Sequence, residues 1–265
     1  MRTLFKLTAI SIQRSLYYKT SLILNLFTPV VVLAGQYMFW EAMYAQQTGL
    51  SIGGILKEEQ FTYILLAFGV NNILSWSSEN TLAREIQNGT VVSRCIRPVS
   101  FLTQSCSEMI GALIPQCIVN FGIVMAGIIL FGNHLTPPGL HAVLYFIPCF
   151  LLAVLLRIML IHIFSLLCFF TTGYLGLSWI RIALFEFFSG AVIPVLMFPD
   201  LLKRITYMTP FPYMLQIPVG LLLGQELPVN LPVVYIIQLS WLLGFYLLHV
   251  IIYGSIRKNL IIAGG

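Results

Sequence analysis

Apolar residues in this chain come in long unbroken runs, not in alternation or narrow stripes. The runs cover approximately 20–40, 61–77, 109–131, 143–170, 177–197 and 231–253. Each approaches the roughly 20 residues that a helix needs to cross a bilayer core. The pattern predicts an all-α integral membrane protein of six transmembrane helices, folded as a single domain over residues 1–265. Residues 2 to 18 are patterned differently. Leu4, Phe5, Ile12 and Leu16 fall on one side of a helical wheel, and Arg2, Lys6, Gln13 and Tyr17 on the other. This predicts an N-terminal helix over 1–19 that lies in the membrane interface, basic side toward headgroups. Arg14 and Lys19 interrupt what would be the apolar region of a signal peptide, so none is expected.

Composition removes the soluble alternative. The chain is 58% hydrophobic and 9% charged, with a mean hydropathy of +0.92. Soluble domains carry about 25% charged residues. The net charge of +5 would suggest nucleic acid in a soluble protein, but here it serves topology. With the N-terminus inside, Arg2, Lys6, Arg14, Lys19, Arg84, Arg94, Arg97, Arg181, Arg257 and Lys258 are cytosolic, ten in all. Lys57, Lys203 and Arg204 lie outside, and Arg157 falls within the fourth run. This asymmetry predicts cytoplasmic termini and a multi-pass protein of a plasma membrane. Cys95, Cys106, Cys117, Cys149 and Cys168 are an odd number set mostly in apolar surroundings, and read as small hydrophobes, not a disulfide framework.

The cytosolic connection after the second run concentrates charge. Residues 83 to 100 read AREIQNGTVVSRCIRPVS. Ser77, Ser78 or Asn80 can cap a short helix, Leu82 and Ile86 lie one turn apart, and Gly89 suits a left-handed exit. VVSRCIRP supplies a second apolar-basic turn that Pro98 ends. A loop over 78–98 of this kind is shaped for a partner's groove; the alternative is a plain topology-setting loop. No phosphate-binding loop accompanies it. The only Lys followed by Ser or Thr is Lys19, and Tyr18 stands where a glycine is required. Active transport would therefore draw energy from another subunit or from an ion gradient.

Between 194 and 232 fall seven of the thirteen prolines, in an otherwise apolar stretch. Non-helical backbone at membrane depth survives only where protein or a cavity surrounds it. The segment predicts two short helices, near 200–208 and 213–223, in an outer re-entrant hairpin over 198–228, with Lys203 and Arg204 toward headgroups or water. An amphipathic outer loop that only stabilises the fold is the alternative.

Charges within the apolar runs are costly and make candidate sites. Arg157 and Glu186 are equidistant from the TTGYLG turn, so antiparallel helices would set them at one depth as an ion pair. Glu108 near the start of the third run could compete for Arg157. Asn71, Asn72, Gln116 and Asn120 could line a path, although interhelical hydrogen bonding is the commoner use of such residues. His162 and His249 are isolated in sequence, and no metal site is expected. Neither a nucleophile beside a base nor a catalytic carboxylate pair is visible, so an enzyme is not expected.

Glu85, Gly89, Thr90, Pro98 and Val99 are spaced as in the coupling helix of type-2 permeases of ATP-binding-cassette (ABC) transporters. The segment SGAVIPVLMFPDLLKRITYMTPFPYMLQIPVGLLLG resembles the part of those permeases that dips in from outside after the fifth span. Six spans, a leading interfacial helix and Gly264-Gly265 at the end extend the resemblance over the whole chain. It implies an exporter subunit that binds no cofactor itself, with ATP and magnesium held by cytosolic ATPase subunits. These would dock on Leu82, Glu85, Ile86, Gly89, Thr90 and Pro98, the leucine and isoleucine being chosen by helical face. It also implies a second permease, identical or related, in a bacterial cytoplasmic membrane. Lipids, drugs and amphipathic peptides suit such a subunit equally as substrates. A secondary transporter or channel using Arg157, Glu108 and Glu186 is the alternative in another class, and a non-transporting scaffold is a third.

Overall fold

The computed structural model describes residues 8–10, 12–13, 19–46, 51–52, 55–73, 81–131, 139–171, 173–225 and 227–263. Most of the expected interfacial helix lies outside these residues. The described residues are mostly helical: α1 (Lys19–Ala45), α2 (Lys57–Ile73), α3 (Thr81–Gln87), α4 (Val92–Cys95), α5 (Phe101–Phe131), α6 (Leu140–Leu167), α7 (Tyr174–Phe188), α8 (Asp200–Tyr207), α9 (Gln216–Leu222) and α10 (Leu231–Ala263). One small antiparallel hairpin, β1 (Ser51–Ile52) with β2 (Ile55–Leu56), joins α1 to α2, in the register Ser51 to Leu56 and Ile52 to Ile55. Sequence reasoning passed over it, although two glycines between two short apolar stretches are a known hairpin signal. Tyr44 Oη donates to Ile55 O at 3.0 Å, and Lys57 Nζ reaches Glu41 at 2.7 Å, so both helix ends are tied there.

Among the described residues, three helices are long and apolar enough to cross a membrane: Phe101–Ile129, Leu140–Leu167 and Leu231–Arg257. α2 has 17 residues and α7 has 15, each short of the roughly 20 required. The fifth apolar run is thus not one helix through 197. α7 stops at Phe188, where Gly190 takes φ +85° and Pro194 precedes a single 3-10 turn, Val195–Met197. α5 starts earlier than the hydropathy indicates, because Ser100 Oγ accepts the backbone N–H of Thr103 at 3.2 Å and caps the helix. α10 runs to 33 residues, about 50 Å at 1.5 Å per residue, so it outreaches a bilayer core.

α6 forms the centre. Its Leu156, Met159, Leu160 and Ile163 pack with Tyr63, Ala67 and Val70 of α2, Phe185 of α7, Met214, Leu215 and Val219 around the start of α9, and Phe245 of α10. α2 and α5 approach closely because two glycines face each other's side chains. A Cβ on Gly69 would come 2.5 Å from Val124, and one on Gly127 would come 2.6 Å from Leu65. Small residues that let backbones approach are the usual basis of helix packing in lipid. The outside is as apolar as the inside: Ile118, Phe121 and Ile129 of α5, and Ile236, Leu243 and Ile251 of α10, are all exposed. Such a surface suits hydrocarbon or another apolar protein, not water.

The proline-rich stretch contains α8 and α9. Pro218 lies in the first turn of α9, where its missing N–H costs no helical bond. Every residue of α9 is buried, packed against α6 and α2. Two side chains hold it there. Tyr63 Oη lies 2.7 Å from Gly190 O and 2.5 Å from Gln216 Oε1, and Val195 N donates to the same Gln216 oxygen at 3.2 Å. Gln238 Nε2 of α10 donates to Cys149 O at 3.1 Å and Tyr213 O at 2.9 Å.

Candidate functional site

The charged loop is a compact unit. α3 ends where Gly89 takes φ +70°, with Gly89 N donating to Ile86 O and Val91 N to Glu85 O. The chain then turns into α4. Leu82 is only 2% exposed, and with Val91 it packs on Phe101, Leu166 and Ile256, with Ile86 partly buried against them. This differs from the open placement expected of Leu82 and Ile86. Leu82 and Ile86 share a side of α3, but that side is covered by the protein's own α5, α6 and α10. The face left open carries Gly89, Thr90, Ser93, Arg97 and Pro98 together with Val92 (58% exposed) and Ile96 (79%). Val92 and Ile96 are the exposed apolar residues of the VVSRCIRP turn.

Beneath that face sits Arg94, 3% exposed. Its Nε donates to Glu85, and its Nη2 donates to Glu108 Oε2 of α5 at 2.6 Å. Burial opposes the guanidinium's charge, but the hydrogen bond to Glu85 and the field and hydrogen bond of Glu108 outweigh it. Its pKa is raised above the ordinary arginine value. Gln104 of α5 adds Nε2 bonds to Arg94 O at 3.1 Å and Val99 O at 2.9 Å. Glu85 and Glu108 thus both accept from the buried Arg94.

The other polar candidates also have described partners. Arg157 and Glu186 each show a contact other than the expected ion pair. The Arg157 guanidinium lies 3.4 Å from the centroid of the Phe185 ring, and Glu186 Oε1 accepts from Asn71 Nδ2 at 3.1 Å. The aromatic face one residue before the glutamate attracts the cation through its quadrupole. Asn72 Nδ2 donates to Asn120 Oδ1 at 2.6 Å, and Asn120 Nδ2 to Gln116 O at 2.8 Å, so this set joins α2 to α5. His162 and His249, isolated in sequence, meet at 3.0 Å between Nε2 and Nδ1, flanked by Phe101 and Tyr253. Among the described residues no group of three or more His, Cys, Asp or Glu side chains could hold a metal ion. Cys106, Cys117, Cys149 and Cys168 are free thiols.

Long apolar helices with apolar outer faces and buried, hydrogen-bonded polar groups define a multi-pass helical membrane protein. Residues 30–261 match the family model described as ABC-2 family transporter protein. The match covers well over half of the 265 residues, and the chain belongs to that family. Its members are membrane transport components that work with ATP-binding-cassette components. No curated protein matches the chain.

Proposed function

We propose that this chain is the six-span permease subunit of an ABC exporter, with ATP hydrolysed on a separate cytosolic subunit. That subunit docks on the ridge formed by Gly89, Thr90, Val92, Ile96 and Pro98. The observation that carries this reading is the exposure of Val92 and Ile96 on a loop otherwise clamped to the helix bundle. Exposed aliphatic side chains on a rigid, charged loop suit a partner's apolar groove. The partner, not this chain, holds ATP and magnesium. The α8–α9 segment is a re-entrant hairpin that caps the outer end of the path, since α9 is wholly buried although prolines break its surroundings. A second permease, identical or related, packs against the exposed apolar helices, and the path runs between the two. The substrate is hydrophobic or amphipathic: a lipid, a drug or a peptide. The membrane is a bacterial cytoplasmic membrane with both termini inside. An ion-coupled transporter has less support, because Glu108 is committed to Arg94 and Glu186 to Asn71.

The test is capture of the partner. Tagged wild-type chain, solubilised gently from its native host, should bring down an ATPase with the ATP-binding-cassette sequence motifs. Ile96→Glu, which alters an exposed residue, should lose it at unchanged yield. Wild-type chain that purifies without an ATPase from several detergents would refute the reading.

A further inference from the structure

We infer that Arg94 and Glu108 form an electrostatic latch that makes the docking loop and the start of α5 move as one body. This rests on the proposed function, and it names the helix that receives the partner's movement. Three observations converge on it. Arg94 is buried and spans two elements, holding Glu85 of α3 and Glu108 of α5 with one guanidinium. Gln104 of α5 holds the backbone of the same turn at Arg94 O and Val99 O. Val91 packs its side chain on Phe101, the first residue of α5.

Apart from the bond back to Glu85, these contacts run forward into α5, while Leu82 and Val91 also share a cluster with Leu166 of α6 and Ile256 of α10. An arginine fork between two carboxylates resists both sliding and rotation, because each N–H has a fixed direction. The guanidinium is 3% exposed and each carboxylate 28%, so water reaches the cluster from the acid side only. A push on Val92 and Ile96 therefore reaches α5 through Arg94. Glu108 is a positioning residue at the receiving end: it touches neither the open face of the loop nor a nucleotide.

The experiment uses the full complex of this chain with its co-purified ATPase in lipid nanodiscs. Spin labels are placed at Ile110→Cys on α5 and Ile251→Cys on α10, both exposed, in a cysteine-free background. The label separation is measured by pulsed electron resonance before and after trapping with Mg-ATP and vanadate. The latch predicts a nucleotide-driven change in the wild-type background that falls at least fivefold in Glu108→Ala, with ATPase capture unchanged. The reversed pair, Arg94→Glu with Glu108→Arg, should restore at least half of the change, which a merely structural loss at Glu108 would not allow. A full-size change in Glu108→Ala, or a folded reversed pair that restores none of it, overturns the latch. Absence of the ATPase from wild-type captures overturns the subunit reading and the latch together.

Discussion

Gly190 and Gly89 both adopt positive φ, but their surroundings differ. A Cβ at Gly89 would meet nothing within 4 Å, whereas one at Gly190 would come 2.5 Å from Gln216 Oε1 and 2.8 Å from Tyr63 Oη. Gly89→Ala should therefore cost about 1 kcal/mol, the left-handed backbone penalty alone. Gly190→Ala should cost about 2–4 kcal/mol, since backbone strain and steric displacement add. Thermal unfolding in one detergent, followed by tryptophan fluorescence, would compare the two, and equal losses would contradict the geometry. Arg157 permits a second check at this scale. In a double-mutant cycle of Arg157→Leu and Phe185→Leu, the coupling should be about 1–2 kcal/mol, as expected for a desolvated cation on an aromatic face. Additive losses would mean that Arg157 gains nothing from the ring beneath it.

At the scale of elements, α3 faces two ways. Its Leu82 side is part of the protein's own core, so Leu82→Ala should destabilise by about 2–5 kcal/mol. The α4 side is open, so Ile96→Glu should leave unfolding within about 0.5 kcal/mol of wild type. Calorimetry of both variants would test this division, and a strongly destabilised Ile96→Glu would mean that the ridge is packed. Gly89 and Pro98 could be read as the turn and the stop of this loop because both act locally, whereas the candidate caps Ser77, Ser78 and Asn80 lie outside the described residues. The sequence did not show which side of α3 faces out: Leu82 and Ile86 form an apolar face whether they meet α5 or a partner, and only the position of Phe101 and Ile256 decides. The pairing of Glu108 with Arg94 was equally hidden, since it depends on how α4 folds back over the start of α5. His162 and His249 are 87 residues apart, and no local rule brings them together. Placing Arg157 opposite residues 185–186 could be argued from turn symmetry, but its contact with the Phe185 ring depends on side-chain directions.

For the whole molecule, long apolar runs were readable in one dimension, and the long helices lie where those runs do. Hydropathy could not see that the fifth run breaks at Gly190, since Ala191, Val192 and Ile193 are as apolar as any helix. The charge asymmetry predicts the proposed docking loop inside and α8 outside. In intact cells a membrane-impermeant maleimide should label Asp200→Cys at once, and Ser93→Cys only after permeabilisation; both positions are exposed. Labelling of Ser93→Cys in intact cells would invert the topology and place the docking ridge where no cytosolic ATPase could reach it.

One guanidinium serving two carboxylates also restricts how a lineage of such chains could lose the cluster. Replacing Glu85 or Glu108 first leaves an arginine that still has an anion beside it. Replacing Arg94 first leaves two half-buried acids without the cation they share, a less fit ancestor. The route away from this arrangement therefore has a required order: an acid departs before the base.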